Sequence, residues 1–277
     1  MQEPLDLDLQ STPPPDPQPR RPSAAVWSAV AVIVAVIGVA TYWYVQRGTA
    51  PALPVPAPSE TAAGSPSIPP LGAPADPIDV PPLDMSDEVV RELVASLSSH
   101  PRVAAWLATD GLIRNFTVVV ENIASNQSPA GHLYVLRPAG AFTRSERGDR
   151  LYIDPRSYDR FTGIADAVAS IDPDGAARLY ASLKPRIEEA YLELGHVEPF
   201  DRALERAIVS LLSVRPAEGD VELEPQGGVY QFADTRLERS TPAEKQLLRM
   251  GPRNVRVIQE RLRSIALALG IPPERLP

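Results

Sequence analysis

The apolar positions in the first part of the chain are concentrated in one uninterrupted run. Residues 24–45 read AAVWSAVAVIVAVIGVATYWYV and contain no charged side chain. As a helix this run is about 33 Å long, enough to cross a hydrocarbon core of roughly 30 Å. The pattern predicts a single transmembrane helix over residues 24–45. The alternative is a cleaved signal peptide, whose apolar region is normally about 7–15 residues long and ends in a small-residue cleavage site.

The charges that flank this run predict its orientation. Arg20 and Arg21 precede it, and Arg47 is the only basic residue that follows before Arg91. Basic residues close to a span are preferentially retained in the cytoplasm. We therefore expect the N-terminal tail in the cytoplasm and the C-terminal part of the chain on the other side of the membrane.

Beyond residue 83 the apolar residues recur every three or four positions, which is the spacing of helices with one buried face. This spacing predicts apolar helix faces over residues 90–97, 103–106, 113–123, 158–168, 180–194, 200–211 and 255–269, and one further helix from 241 to 251. Ser86, Asp110, Asp154 and Asp172 precede four of these helices and are candidate N-caps. Pro185 lies inside a predicted helix and predicts a kink or a break there.

Two short regions show strand signals instead. Residues 141–145 and 150–153 flank the tetrapeptide Glu-Arg-Gly-Asp and predict a hairpin, because the glycine suits its turn. Residues 221–223 and 229–232 are short extended candidates. The expected fold class is mainly α, a multi-helix globular domain (residues 84–277) with a minor β-hairpin, preceded by one transmembrane helix and a Pro-rich linker.

Proline separates the predicted helical domain from the predicted span. Eighteen of the 32 prolines lie in residues 1–82. Proline fixes φ and removes a backbone donor, so a proline-rich chain stays extended and solvated. We therefore predict a disordered cytoplasmic tail over residues 1–23 and a disordered linker over residues 46–83. Fully extended, such a linker would reach on the order of 100 Å.

Composition excludes several kinds of chemistry. The chain has no cysteine, which excludes thiolate catalysis, cysteine-ligated zinc and iron–sulfur clusters. Its formal net charge of −8 gives no general basic footprint for nucleic acid. His100, His132 and His196 do not follow the spacings of zinc motifs. We therefore expect no cofactor, no bound metal and no nucleic-acid partner.

The most distinctive charge feature lies near the C-terminus, where residues 245–263 contain six basic residues and only one acid, Glu260. The basic residues are Lys245, Arg249, Arg253, Arg256, Arg261 and Arg263. Such an excess can attract an anionic glycan, lipid headgroups or an acidic partner. The same arginines can instead pair with Asp and Glu elsewhere in the domain. The candidate binding residues are Arg249, Arg253 and Arg256, together with Tyr230 and Asp234.

Carboxylates provide the other candidate chemistry. Two acids can do acid–base work if their surroundings drive their pKa values apart. Glu188-Glu189, Asp234 and Glu238 are the candidates, although adjacent acids on a helix usually form a solvated face. Catalytic residues cannot be assigned from the sequence.

Several blocks of the C-terminal domain carry a family resemblance. The run VYQFADTRLERSTPAEKQLLRMG (229–251), followed by a helix with Asn254, resembles the bacterial domain-of-unknown-function family 3014. GLIRNFTVVVENIA, YDRF, LYASLKPRIEEAYLELG and FDRALERAIVSLL are similar to further blocks of that family in the same order. The chain departs from the family at His196-Val197, where a Tyr-Pro pair would be expected. The resemblance implies a single N-terminal span and a proline-rich linker, but no activity.

Three functions remain open at this stage. The first is a protein anchored in the bacterial inner membrane through residues 24–45, with a periplasmic domain that binds an envelope protein or peptidoglycan. The second is an envelope hydrolase that uses buried carboxylates. The third is a sensor domain that acts through a partner, which the short cytoplasmic tail disfavours.

Overall fold

The computed structural model describes residues 70–75 and 78–277. The predicted tail, the predicted transmembrane helix and most of the predicted linker lie outside the described residues. Within those two described ranges, no single helix combines the length and apolar character that a membrane crossing requires. Pro101–Leu107 and Leu112–Ala124 meet the requirement only as a pair, and they are bent by 107°.

The described part of the chain is mainly helical with a small antiparallel sheet, as the hydrophobic pattern predicts. Its ten α-helices are α1 (Asp87–Ala95), α2 (Pro101–Leu107), α3 (Leu112–Ala124), α4 (Arg156–Asp159), α5 (Thr162–Ala169), α6 (Pro173–Glu193), α7 (Phe200–Ser213), α8 (Thr235–Glu238), α9 (Pro242–Leu248) and α10 (Pro252–Ala268). Its four strands are β1 (Arg144–Arg147), β2 (Arg150–Ile153), β3 (Glu222–Gln226) and β4 (Val229–Phe232).

The long helices form the main hydrophobic core. Helix α3 packs against α6 and α7, and α10 packs against α5, α6 and α7. Phe200 is fully buried at the centre, with its ring 5.2 Å from Tyr191 and 5.8 Å from Phe116. Burying aromatic rings of this size is a major source of stability in a helical core.

Helix α6 runs through Pro185 as one helix, so of the kink or break that the proline predicts, the break does not occur. Proline removes one backbone hydrogen bond and crowds the preceding turn. Tyr180 and Leu183 are buried on one side of Pro185, and Ile187 and Tyr191 are buried on the other. Packing therefore holds both halves of the helix against the same core, and this outweighs the local cost of the proline.

The end of the predicted linker packs with the helices. Leu71, Val80 and Leu83 are buried in the main core. The Leu71 N–H donates to Asp201 over 3.1 Å, and the Arg186 guanidinium donates to the Val80 carbonyl over distances of 3.0 and 3.1 Å. The helical unit therefore begins before residue 84, because a few apolar residues among the prolines fill sites on the helices.

Two predicted caps differ from the structure. Asp110 does not cap α3; its side chain is exposed and lies near Arg91. The Asp87 carboxylate, 25 residues before Leu112, instead accepts the Gly111 and Leu112 N–H groups over 2.7 and 2.9 Å. Ser86 makes no side-chain cap to α1, since its hydroxyl donates to the Leu83 carbonyl.

The helix predicted over residues 158–168 is divided into α4 and α5. Asp154 accepts the Arg156 N–H over 2.9 Å, as a residue before a helix does. Arg160 and Phe161 interrupt the helical run between the two segments. This break leaves Arg160 at the end of a short helix that faces the sheet.

The predicted hairpin forms and belongs to a larger sheet, but its first strand is Arg144–Arg147 and not residues 141–145. The four strands form an antiparallel sheet in the order β1-β2-β3-β4. Strand β2 pairs with β3 through Leu151 opposite Leu223 and Tyr152 opposite Glu222. The sheet packs on a second hydrophobic cluster, which contains residues of α8, α9 and α10 as well as Ile153, Leu223 and Phe232.

Candidate functional site

A cleft of about 510 Å³ lies where the sheet meets the ends of α4, α8 and α9. We call it the sheet cleft. Its lining residues are Phe142, Ile153, Ser157, Arg160, Leu223, Gln226, Val229, Tyr230, Gln231, Phe232, Glu238 and Arg249. This volume lies within the range of roughly 300–1,000 Å³ that is usual for ligand sites.

Two arginines give the sheet cleft its positive charge. Arg160 ends α4 and Arg249 ends α9. Within the described part of the chain, neither guanidinium has a carboxylate oxygen within 4.0 Å. Burial lowers the pKa of Arg160 from its ordinary value, but a guanidinium remains charged near neutral pH. The cleft therefore presents two cations that can accept an anionic ligand.

The carboxylate in the cleft is already engaged. Glu238 forms an ion pair with Lys245 and accepts the Phe232 N–H over 2.9 Å. The hydrogen bond from Lys245, followed by that from the Phe232 backbone, lowers the pKa of Glu238 although burial opposes the shift. Glu238 is therefore ionised at neutral pH, and Lys245 compensates its charge.

Aromatic rings also line the sheet cleft. The Phe142 and Tyr230 ring centroids are 5.9 Å apart. Arg160 lies 5.5 Å from the Phe142 ring, and Arg144 lies 5.5 Å from the Tyr230 ring. Guanidinium groups over aromatic rings are held in place by cation–π attraction. Phe142 is 37% exposed and Val229 is 65% exposed, so this rim is open to a ligand.

A buried contact joins the two segments that carry the cleft arginines. The Asn254 side chain is 2% exposed and donates to the Tyr158 carbonyl over 2.9 Å and to the Met250 carbonyl over 2.8 Å. Gly251 has φ +84°, and a Cβ there would lie 2.3 Å from Cγ of Tyr158. Only glycine permits this close approach, which places Arg249 beside the segment that carries Arg160.

The structure brings together two of the five predicted binding residues. Tyr230 and Arg249 line the sheet cleft, whereas Asp234, Arg253 and Arg256 do not. Asp234 caps α8 by accepting the Arg236 N–H over 2.7 Å. Arg256 pairs with Glu218, and Arg253 lies 3.5 Å from the Asn254 side-chain oxygen.

Sequence reasoning missed Arg160 and Phe142. Arg160 is one of several charges in an amphipathic segment, where charged side chains are normally solvated. Its one signal is that it lies within the YDRF block, residues 158–161, that carries part of the family resemblance. Phe142 precedes the hairpin and has no comparable signal.

The other candidate carboxylates have structural partners. Both Glu188 carboxylate oxygens accept the Phe200 N–H over 3.1 Å, and Glu189 pairs with Arg186 at 2.8 Å. Asp154 is buried, and the hydrogen bond from the Arg156 side chain lowers its pKa. Groups with lowered pKa values are poor general acids.

The histidines and other ligating groups do not assemble into a metal centre. Across residues 70–75 and 78–277, no three His, Asp or Glu side chains lie close enough to hold a metal ion. His100 caps α2 by accepting the Arg102 N–H over 3.2 Å at Nδ1. His196 stacks on Tyr191, with ring centroids 4.4 Å apart.

Comparison with known proteins gives one match. The model of a family described as "Protein of unknown function (DUF3014)" matches residues 112–266. No curated protein and no solved structure matches the chain. The matched residues include Arg160, Tyr230 and Arg249 of the sheet cleft.

Proposed function

The chain belongs to the DUF3014 family of proteins of unknown function, and we propose that it is a membrane-anchored binding protein of the bacterial cell envelope. The uncharged run over residues 24–45 acts as the anchor in the inner membrane. The helical unit lies in the periplasm. The sheet cleft is the site that binds a protein or a cell-wall component.

The observation that carries this proposal is the pair of arginines in the sheet cleft. Arg160 and Arg249 line one cleft of about 510 Å³, and neither has a carboxylate partner among the described residues. Guanidinium groups bind carboxylates through paired hydrogen bonds. Protein segments with Asp or Glu and the peptide stems of peptidoglycan both carry such carboxylates. The Phe142–Tyr230 rim offers an apolar surface next to this charge.

The polar side chains of the cleft favour binding over hydrolysis. The Ser157 hydroxyl donates to the Thr143 carbonyl over 2.7 Å and accepts the Thr143 N–H over 2.8 Å. Glu238 is held ionised by Lys245. A nucleophile needs an adjacent base, and a general acid needs a proton to give. Neither Ser157 nor Glu238 is in such a position.

Affinity capture of the full chain from chemically crosslinked bacterial membranes tests this proposal. We expect a specific set of envelope proteins or peptidoglycan fragments with the unmodified chain. Arg249→Gln removes one cleft cation and should reduce recovery of that set by about tenfold, the effect of one charge-assisted hydrogen bond.

Arg253→Gln is the matched control, because it makes the same charge change four residues away and does not alter the lining of the cleft. It should leave recovery unchanged. Equal recovery with both variants would contradict a binding role for the sheet cleft.

The location is tested separately by alkaline phosphatase fused after residue 66, before the helical unit begins. The enzyme needs the oxidising periplasm to form its disulfides. An active fusion is expected. An inactive fusion that is present at normal levels would contradict a periplasmic unit.

A further inference from the structure

A second cavity, distinct from the sheet cleft, lies within the helical core. It has a volume of about 380 Å³ and lies among α1, α3, α6, α7 and α10. We call it the core cavity. Every side chain that lines it is aliphatic or aromatic, with Phe116, Leu183, Ile208 and Ile265 on four different helices. Tyr180 is also a lining residue, but its hydroxyl is already used, because it donates to Asp201 over 2.5 Å.

The size of the core cavity distinguishes it from a packing defect. Protein interiors are packed about as densely as organic crystals, with few voids larger than a water molecule. An apolar cavity of about 150 Å³ in another protein stays dry and binds benzene. The core cavity has more than twice that volume and is partly open to solvent, and its lining offers water no hydrogen-bond partners. An apolar ligand is therefore the occupant that this space favours.

A smaller cavity of about 170 Å³ lies next to the core cavity, and one of its lining residues is charged. Val94, Leu97, Trp106 and Ile171 line both cavities, so the two cavities are adjacent. The smaller cavity is also lined by Arg102. A cation therefore lines the cavity that adjoins the core cavity.

Arg102 is available to a ligand. Its guanidinium makes a long hydrogen bond of 3.5 Å to the Arg137 carbonyl. In the described part of the chain, no carboxylate oxygen lies within 4.0 Å of it. Gly163 faces the guanidinium, and a Cβ at that position would lie 3.1 Å from Nε of Arg102. The missing side chain at Gly163 leaves room for the charged group at this end.

We propose that the core cavity binds a single acyl chain that carries an anionic head group. The chain occupies the core cavity and passes between the four shared side chains, so that the head group lies at Arg102 in the smaller cavity. The lining selects for a hydrocarbon, because a polar segment would lose its hydrogen bonds there. The guanidinium selects for a carboxylate or phosphate at the end of the chain. A free fatty acid and a phospholipid that inserts one chain share this chemistry.

Photolabelling of the full chain in bacterial membranes tests this proposal. The probe is a palmitic acid analogue with a diazirine on its chain, and mass spectrometry maps the labelled peptides. We expect adducts on α1, α3, α6 and α10 at the core cavity. Ala207→Leu places a larger side chain in the cavity and should reduce this labelling by about tenfold or more.

Arg102→Gln should reduce the same labelling by about tenfold, because it removes one charge-assisted contact. Arg239→Gln is the matched control, since Arg239 is exposed and lines neither cavity. It should leave the labelling unchanged. If Ala207→Leu lowers the thermal unfolding midpoint sharply, the comparison of Arg102→Gln with Arg239→Gln tests the proposal instead, because Arg102 is only partly buried. Unchanged labelling in a folded Ala207→Leu variant, or equal labelling in both arginine variants, would overturn the proposal.

Solvent extraction of the purified full chain distinguishes the two sources of the ligand. If the extract of the unmodified chain contains more fatty acid than the extract of the Ala207→Leu variant, the ligand is a free acid. If it contains more phospholipid instead, the ligand is a membrane lipid. Either result supports the proposal. Extracts without either enrichment, together with labelling that does not map to the cavity, would contradict it.

Discussion

Replacing Gly251 with alanine should destabilise the helical unit because it disturbs the contact that joins the two cleft segments. Gly251 has φ 84° and ψ 158°, a conformation that is essentially restricted to glycine and costs other residues about 1–3 kcal/mol. The new Cβ would also lie 2.3–2.8 Å from three atoms of Tyr158. Overpacking of this kind costs about 1–3 kcal/mol. Together these effects predict a loss of about 2–6 kcal/mol, a large part of the roughly 5–15 kcal/mol typical of a domain.

Gly228→Ala separates the backbone effect from the overlap. Gly228 has φ +86°, and a Cβ there meets no atom within 4 Å. It should cost only the backbone strain, about 1–2 kcal/mol. Urea unfolding of residues 67–277, followed by circular dichroism, measures both variants. Equal losses in the two variants would refute the close contact between Gly251 and Tyr158, and with it the proposed positioning of Arg249 beside Arg160.

Three further predictions concern the helical unit. Asp87→Ala removes the acceptor of two N–H groups at the start of α3 and should cost about 1–2 kcal/mol in urea unfolding, whereas Asp110→Ala should cost less than about 0.5 kcal/mol. Equal costs would contradict the assignment of the cap. Glu238 has a lowered pKa in the folded state, so its contribution to stability is present above its unfolded pKa of about 4.3 and is lost as the pH falls through the folded value. The difference in unfolding free energy between the unmodified unit and Glu238→Gln should therefore shrink from pH 6 to pH 3, and a constant difference would contradict the ion pair with Lys245. Deleting residues 67–83 removes three apolar side chains that are buried in the main core, and it should lower the unfolding free energy by about 4–8 kcal/mol. An unchanged unfolding free energy would show that this segment does not pack on the core.

The local pattern of the sequence predicts the helices well. Helix α10 follows the spacing of its apolar residues, and Thr241 with Glu244 forms a complete capping box at the start of α9. These features depend on residues within one or two turns of one another. A mainly helical unit can therefore be predicted from the sequence alone.

Features that depend on residues far apart in the chain cannot be predicted from the local sequence pattern. The cap of α3 comes from Asp87, although Asp110 lies directly before that helix. The β2–β3 pairing joins segments that are far apart in the chain. Leu71 is surrounded by prolines and small residues, so composition predicts a linker, but the residue is buried by contacts with the helices. In each case tertiary packing decides the outcome.

Only part of the candidate site could be predicted from the sequence, because only some of its residues carry a local signal. Arg249 belongs to a local excess of basic residues, and Tyr230 precedes it in a block with family resemblance. Arg160 is one charge among several in its segment, and its importance depends on the break between α4 and α5 and on its place in the cleft with strand residues. Asp234 and Arg256 have the expected residue types, but Asp234 pairs with nearby Arg236, and Arg256 pairs with Glu218, which is distant in the sequence.

Site-specific photocrosslinking in living cells tests the central claim, that the sheet cleft binds an envelope component. A photocrosslinking amino acid is placed at Val229 on the rim of the cleft, or at Val197, which is 95% exposed and does not line the cleft. Position 229 is expected to give a discrete adduct with an envelope protein or peptidoglycan, and Arg249→Gln is expected to reduce its yield by about tenfold. Position 197 is expected to give none. The same adducts at both positions, or an adduct at 229 whose yield is unchanged in Arg249→Gln, would contradict the account.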